Sequence, residues 1–235
     1  MFGKNKTFKI QKDDDPEMPV KEIFATIQGE GPYSGQRAIF IRLGRCSLKC
    51  HYCDTEFETD LVNMTASQIV EKAKSLSGNI ELAVITGGEP LLWKGTADLC
   101  QGLFNEGYLV QVETSGSVVQ ENFLHVVGKA WVDVVCSPKT PKIAKGLIGL
   151  VDCFKYVIKA GEVAEDGLPN MSTQIEGKES EIFRPDPLSS KKIYVSPCDE
   201  HDPVKNAANI AECVRSVMKH GYTLSLQTHK VIGMP

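Results

Sequence analysis

The sequence has no apolar run approaching the ~20 residues that a bilayer-spanning helix needs, so nothing in it reads as a transmembrane helix. It also lacks a basic excess. With 26 Lys and Arg against 30 Asp and Glu, the net charge of -4 offers no electrostatic face for nucleic acid or an anionic membrane surface. The opening stretch MFGKNKTFKIQKDDDPEMP is charged and has no apolar core, so it does not read as a secretory signal. These absences together point to the cytoplasm. There is no internal repeat and no low-complexity tract. A hydrophobic content of 42% and a charged content of 24% are ordinary for a soluble globular chain, and 235 residues suit one domain with a full core.

Cysteine is the exception to this plainness. Of eight cysteines, Cys46, Cys50 and Cys53 fall within eight residues, whereas Cys100, Cys136, Cys153, Cys198 and Cys213 are scattered. A disulfide scaffold is small and loop-rich, and this chain has clear helices and strands to build a core instead. Clustered cysteines in such a chain point to metal binding or chemistry.

Residues 1–18 read as a flexible arm, and 19–235 as a single domain. Short runs rich in Val, Ile, Phe and Tyr predict strands at Ala38–Leu43, Leu82–Thr86, Leu109–Glu113, Trp131–Cys136, Cys153–Ile158, Lys192–Ser196 and Thr223–Gln227. Helices are expected over 66–77, about 96–106 and 203–220. The last has Asp202 as N-cap, Pro203 at the first helical position and Gly221 as terminator. Its apolar stripe is Ala207, Ile210, Ala211, Val214, Val217 and Met218. Residues 161–190 are polar, with Gly and Pro, and read as a long loop or insertion.

Repeated βα units imply an α/β fold with a parallel sheet. About six parallel strands suit an incomplete (β/α) barrel, although a doubly wound sheet stays open at this point. The barrel is favoured because polar or Gly-rich motifs directly follow the strands: Gly87-Gly88-Glu89-Pro90, Thr114-Ser115-Gly116, Ser137-Pro138-Lys139, Ser196-Pro197-Cys198-Asp199 and Thr228-His229. In barrels the strand C-terminal ends form the active-site face, and five such motifs on one rim would surround one cavity.

The C-x3-C-x2-C segment Cys46–Cys53 is short enough to wrap three corners of a cubane, and thiolates are the ligands iron–sulfur clusters take. Electron-carrying clusters use four cysteines. With no fourth at comparable spacing, one iron would stay open to a substrate or cofactor. The alternative is a structural zinc site with His51 or a distant cysteine as fourth ligand, although zinc fingers usually present a second ligand pair and none is visible.

The cysteine loop, with Tyr52 before its last cysteine, resembles the radical S-adenosylmethionine (SAM) superfamily, and Gly87-Gly88-Glu89-Pro90 matches that superfamily's second motif. The stretch Glu22–Pro32, then Phe40–Leu43, Cys53-Asp54-Thr55, Ser137-Pro138-Lys139 and Gln227–Lys230, is similar to the 7-carboxy-7-deazaguanine synthase family over roughly residues 20–235. The resemblance implies a radical SAM partial barrel and a lyase. It would contract 6-carboxy-5,6,7,8-tetrahydropterin to 7-carboxy-7-deazaguanine with loss of ammonia, on the route to queuosine-type nucleosides. It further implies a [4Fe-4S] cluster, SAM and Mg2+, an electron donor such as flavodoxin or ferredoxin, and a homodimer.

Residue roles follow from the same resemblance. Cys46, Cys50 and Cys53 would hold the cluster, and Thr55 would bind Mg2+, with Asp54 the nearest carboxylate. SAM would be held by Gly88 and Glu89, by Ser115, by Ser137, Pro138 and Lys139, and by Ser196, Pro197, Cys198 and Asp199, with the Gly88–Glu89 segment receiving its ammonium. The substrate would meet Ile27, Gln28, Gly29 and Glu30 at its amino-pyrimidinone edge and Arg42 at its carboxylate. Thr86, His229 and the terminal carboxylate of Pro235 would complete that set. The scattered cysteines read as packing residues. Rival readings are a radical SAM activase of a glycyl-radical enzyme, and a non-catalytic iron–sulfur or zinc module.

Overall fold

A computed structural model describes residues 6–53, 55–127, 132–171 and 181–234. Nine strands form one sheet. In chain order they are β1 (Glu17–Ile27), β2 (Arg37–Leu43), β3 (Val62–Thr65), β4 (Leu82–Gly87), β5 (Leu109–Thr114), β6 (Val132–Cys136), β7 (Cys153–Ile158), β8 (Lys192–Pro197) and β9 (Thr223–Leu224). Their spatial order is β3-β1-β2-β4-β5-β6-β7-β8-β9. From β2 and β4 onward every neighbour is parallel, whereas β1 runs antiparallel to both β2 and β3. The sheet is open, with β3 and β9 at its edges, so the fold is an incomplete barrel.

All seven expected strands are found, although the last is cut from Thr223–Gln227 to Thr223–Leu224 and Trp131 of the fourth lies outside the described residues. Two more, β1 and β3, were not legible. Pro19, three charged residues and a bulge between Val20 and Glu22 break the alternation of β1. Residues 6–16, expected within a loose arm, hold no helix or strand but lie along the domain. Phe8 N donates to Cys46 O at 2.8 Å and Gln11 N to Leu92 O at 3.0 Å. Met18, within the same expected arm, belongs to β1 and is fully buried.

The helices are α1 (Ala66–Ser77), α2 (Gly95–Asn105), α3 (Glu121–Val127), α4 (Pro203–His220) and α5 (Thr228–Val231). A capping box starts α1, in which Thr65 accepts from Gln68 N while the Gln68 side chain accepts from Thr65 N. Asp202 caps α4 by accepting from Val204 N and Lys205 N, and Gly221 ends it at φ 75°. Val70, Leu99, Leu103, Phe123 and Cys213 from α1 to α4 share one core with Ile39, Ile41, Ile85, Val112, Val134, Phe154 and Tyr156 of the sheet. These strand residues have one parity and α1 to α4 all pack on that face, which rules out a doubly wound arrangement. On the other face the lower layer is apolar, with Ala38, Leu82 and Val84, and the upper layer turns polar towards the strand C-terminal ends.

One expectation about α4 is reversed. The residues it packs onto the sheet are Asn209, Cys213 and Ser216, while Val204, Ile210, Val214 and Met218 of its apolar side face outward. Asn209 is held by polar bonds, accepting from Ala160 N and donating to Cys198 O. Val217 of the expected stripe does pack against the core beside Cys213, so the inner face combines these two with the hydrogen-bonded Asn209 and Ser216, and the rest of the stripe lies outward.

Candidate active site

The polar upper layer surrounds one cavity of about 630 Å³. Its rim is made by the segments that follow β2, β4, β5, β6 and β8, closed over by α5. Among the lining residues are Cys46, Cys50, Cys53, Thr55, Gly88, Ser115, Ser137, Lys139, Ser196, Pro197, Cys198 and Asp199. Gln28, Glu30, Arg42, Thr86 and His229 line it too. The five rim motifs of the sequence therefore do converge on one space.

The cysteine loop is anchored from several sides. Arg45 turns out of β2 with φ 66°, a conformation uncommon for a non-glycine residue. Its N donates to Phe57 O at 2.9 Å, its O accepts from Glu89 N at 2.9 Å, and its guanidinium lies over the Phe8 ring at 4.9 Å. Cys46 is buried with Leu48 and Phe57, against which Cys50 and Cys53 pack. Burial pushes the Cys46 thiol well above its ordinary value, so coordination to iron is what would keep this sulfur as thiolate. Leu48 N already points at Cys46 Sγ from 3.4 Å, the contact a cluster-bound sulfur accepts. Among the described residues no three or more His, Cys, Asp or Glu side chains converge on a single-ion site.

The glycine pair explains itself through this loop. A Cβ on Gly87 would lie 2.0 Å from Leu43 O, and one on Gly88 would lie 1.9 Å from Arg45 O and 3.0 Å from Cys46 N. Gly87 also sits at φ 134°, where side chains are strained. The two glycines thus let the end of β4 press against the backbone that presents Cys46. Gly88→Ala should displace that backbone. We expect purified Gly88→Ala to retain less than half the wild-type iron after anaerobic reconstitution, measured as iron per chain.

Glu89 corrects the sequence expectation. Its side chain is fully enclosed and is not among the residues that line the cavity. It accepts from Leu91 N at 3.1 Å, Thr114 Oγ1 at 2.7 Å, Ser115 N at 2.9 Å and Ser115 Oγ at 2.5 Å. Ser115 Oγ in turn lies 2.9 Å from Ser117 Oγ, which lies 2.9 Å from Ser47 Oγ in the cysteine loop. Glu89 is therefore the buried root of a hydroxyl chain that ends beside Cys46. Pro138 and Gly29 are buried and Ile27 is half-buried, and none of the three is among the residues lining the cavity. Asp54 and Pro235 lie outside the described residues.

The wall has an orphaned group. Ser196 Oγ is buried, lines the cavity and has no hydrogen-bond partner among the described residues, so it is ready for a ligand that donates or accepts. The Lys139 ammonium donates to Ser137 Oγ at 2.6 Å, and burial pushes its acidity constant below the ordinary lysine range. Asp199 accepts from His201 N and Asn206 Nδ2, both at 2.9 Å, and from Lys230 Nζ at 2.8 Å. The last contact ties α5 to the rim. On the other side His229 packs so closely on Gly29 that a Cβ there would meet Nδ1 at 1.9 Å. Three thiols, a glycine-cleared wall and an orphaned hydroxyl fit a cluster and a polar cofactor in one cavity.

Towards β1 the wall is a charged network. Arg42 pairs with Glu22 at 2.6 Å. Glu113 accepts from Gln28 Nε2 at 3.1 Å, Gln111 Nε2 at 2.9 Å and Thr86 Oγ1 at 3.3 Å. Lys155 contacts Glu30. Lys155 was not legible as a site residue, although one signal was present. It is the charged residue within the strand CFKYVI, at a position whose parity faces the cavity. The remaining cysteines are all buried, in keeping with packing roles for Cys100, Cys136, Cys153 and Cys213, whereas Cys198 also lines the cavity.

The Radical SAM superfamily model matches residues 40–142. The chain is similar to the 7-carboxy-7-deazaguanine synthase of Rhodospirillum rubrum, 36% identical over 99% of this chain and 99% of the relative. It is similar to that of Rickettsia prowazekii, 36% identical over 100% of this chain and 96% of the relative. Among solved structures, that of QueE from Escherichia coli superposes with a TM-score of 0.63 at 19% identity, covering 89% of this chain and 93% of the other.

Proposed function

Since the chain belongs to the 7-carboxy-7-deazaguanine synthase family, a branch of the radical SAM superfamily, we propose that it contracts 6-carboxy-5,6,7,8-tetrahydropterin to 7-carboxy-7-deazaguanine with release of ammonia. The observation that carries this reading is the single cavity shared by the three clustered thiols and the Gln28–Glu30, Arg42 and Thr86 wall. Cys46, Cys50 and Cys53 would hold a [4Fe-4S] cluster, and together with SAM that cluster would supply the one-electron chemistry that opens the reaction.

The chain's own part is to bind, orient and enclose. Gly88, Ser115, Ser137, Lys139, Ser196, Pro197, Cys198 and Asp199 would embrace SAM between the cluster and the β8 rim. Glu30 would accept the N–H groups of the pterin's amino-pyrimidinone edge, backed by Gln28, whose Oε1 accepts from Glu30 N at 3.1 Å. Arg42 would meet the substrate carboxylate from the β2 end, beside a Mg2+ held through the Thr55 hydroxyl. His229 would close the cavity, excluding water from reactive intermediates.

The test is anaerobic incubation of the reconstituted protein with SAM, reductant, Mg2+ and 6-carboxytetrahydropterin. The deazapurine should appear in excess over SAM consumed. An activase would instead use SAM stoichiometrically on a partner protein. An intact cluster that yields no deazapurine overturns the reading.

We further take the protein to act in the cytoplasm as a homodimer, receiving electrons from a flavodoxin or ferredoxin. Support for the dimer comes from α4, whose outward Val204, Ala207, Ala211, Val214 and Met218 recur at coiled-coil spacing. Among the described residues, eight of the eleven large exposed hydrophobics lie from Val204 onward. Light scattering should give twice the chain mass for wild type and the single-chain mass for Met218→Glu.

A further inference from the structure

We propose that Lys155 is a positioning residue that keeps Glu30 ionised and correctly aimed, so that the far wall of the cavity accepts a substrate edge made of hydrogen-bond donors. This rests on the function proposed above. Lys155 sits mid-strand in β7 and is 7% exposed. Its ammonium touches Glu30 Oε2 and lies 3.8 Å from Glu113 Oε2. The two carboxylates come from different parts of the chain, one following β1 and the other at the end of β5. Glu113 is committed, because Gln28 and Gln111 donate to one of its oxygens and Thr86 to the other. Lys155 therefore bridges a fixed carboxylate and one whose direction matters.

The physical reason for a cation here is charge repulsion. Two enclosed carboxylates without one between them would repel, and one would take up a proton. A protonated Glu30 becomes a donor facing the donors of an amino-pyrimidinone, which turns an attraction into a mismatch. With Lys155 in place Glu30 remains an acceptor, and a substrate edge presenting acceptors is rejected. Among the described residues, groups that face or act on Lys155 include Glu30 beyond β1, Glu113 on β5, Lys139 beyond β6, Cys153 on β7 and Tyr194, its register partner on β8.

Three variants test this: Lys155→Met, Lys155→Arg and the double Lys155→Met/Glu113→Gln. For Lys155→Met we expect KM for 6-carboxytetrahydropterin to rise at least about tenfold while kcat stays within about threefold, a loss of one good interaction. The acid limb of its kcat/KM profile should move up by about a pH unit or more, since Glu30 ionises later. Lys155→Arg and the double variant should return the limb towards wild type.

A second readout needs no substrate. A carboxyl whose folded-state pKa is raised stabilises below its unfolded value, and that contribution is lost as pH rises through the folded value. Thermal stability of Lys155→Met should therefore fall, relative to wild type, between pH 5 and pH 8, and Glu113→Gln should remove the fall. A collapse of kcat at unchanged KM would make Lys155 a proton donor and overturn the proposal. A stability loss independent of pH and unrepaired by Glu113→Gln would reduce it to packing and overturn it equally. If wild type yields no deazapurine, the functional reading falls, and the pH dependence of stability still decides whether Lys155 restrains the two carboxylates.

Discussion

Cys50→Ala is expected to fold, to bind less than a tenth of the wild-type iron after anaerobic reconstitution, and to show neither SAM cleavage nor deazapurine formation above background. The argument starts from burial. Cys50 is only partly buried, and its backbone helps form a turn in which Cys53 N donates to Cys50 O at 3.3 Å, a bond that alanine retains. Removing the thiol should therefore cost the fold little while removing one of the three sulfurs. Cys46→Ala should lose the cluster as well, but with a fall in stability, because its buried side chain packs with Leu48 and Phe57. The measurements are iron per chain, visible absorption and 5′-deoxyadenosine formed with dithionite. Full iron and undiminished SAM cleavage in Cys50→Ala would show that a different residue completes the ligand set.

The second large effect concerns a residue enclosed behind the cavity wall. Glu89→Ala should lower unfolding stability by about 3–4 kcal/mol, because it strands two enclosed backbone N–H groups and two hydroxyls that now share one carboxylate. Glu89→Gln should cost about 2 kcal/mol, since its amide nitrogen must face at least one fixed donor. Both variants should also load less iron, through the Ser115–Ser117–Ser47 chain. Burial, opposed by those hydrogen bonds, holds the Glu89 carboxyl above the usual carboxylate range. Its contribution to stability is thus full below the unfolded value near ~4.3 and shrinks as pH rises through the folded one. Denaturant titrations across that range should show a downward slope in wild type that Glu89→Gln flattens. Equal stability of Glu89→Ala and wild type would sink this account.

The sheet was legible because parallel strands buried on one face and facing a cavity on the other are short, β-branched and bounded by motifs. The strand β1 was hidden because, beside an edge, it carries Pro19, Lys21 and Glu22 and follows neither a clean alternation nor an apolar run. The rim motifs placed most cavity residues, since a strand end fixes where the next few residues must lie. What sequence could not give was direction. The motif containing Glu89 was correctly placed beside the cluster, yet its side chain turns into the protein interior while the glycine before it faces the cavity. Nor could it tell which face of α4 is inside, because Asn209 and Ser216 are buried through bonds to residues far along the chain. Lys155 was missed for a related reason, as its partners Glu30 and Glu113 come from distant strands that only the fold brings together.

The bracing of the cysteine loop has a consequence for the order in which the protein is made. Residues 46–53 leave the ribosome before Gly88, Glu89, Ser115 and Ser117, the groups against which they are held. Parallel pairing of β2 with β4 and of β4 with β5 must also wait for those later segments, as non-local contacts do in any sheet of this kind. A nascent chain therefore exposes three thiols with no scaffold behind them. Cluster insertion belongs to a late stage of biogenesis, after about half the polypeptide has emerged, and until then the loop is a site for oxidation or for capture by stray metal.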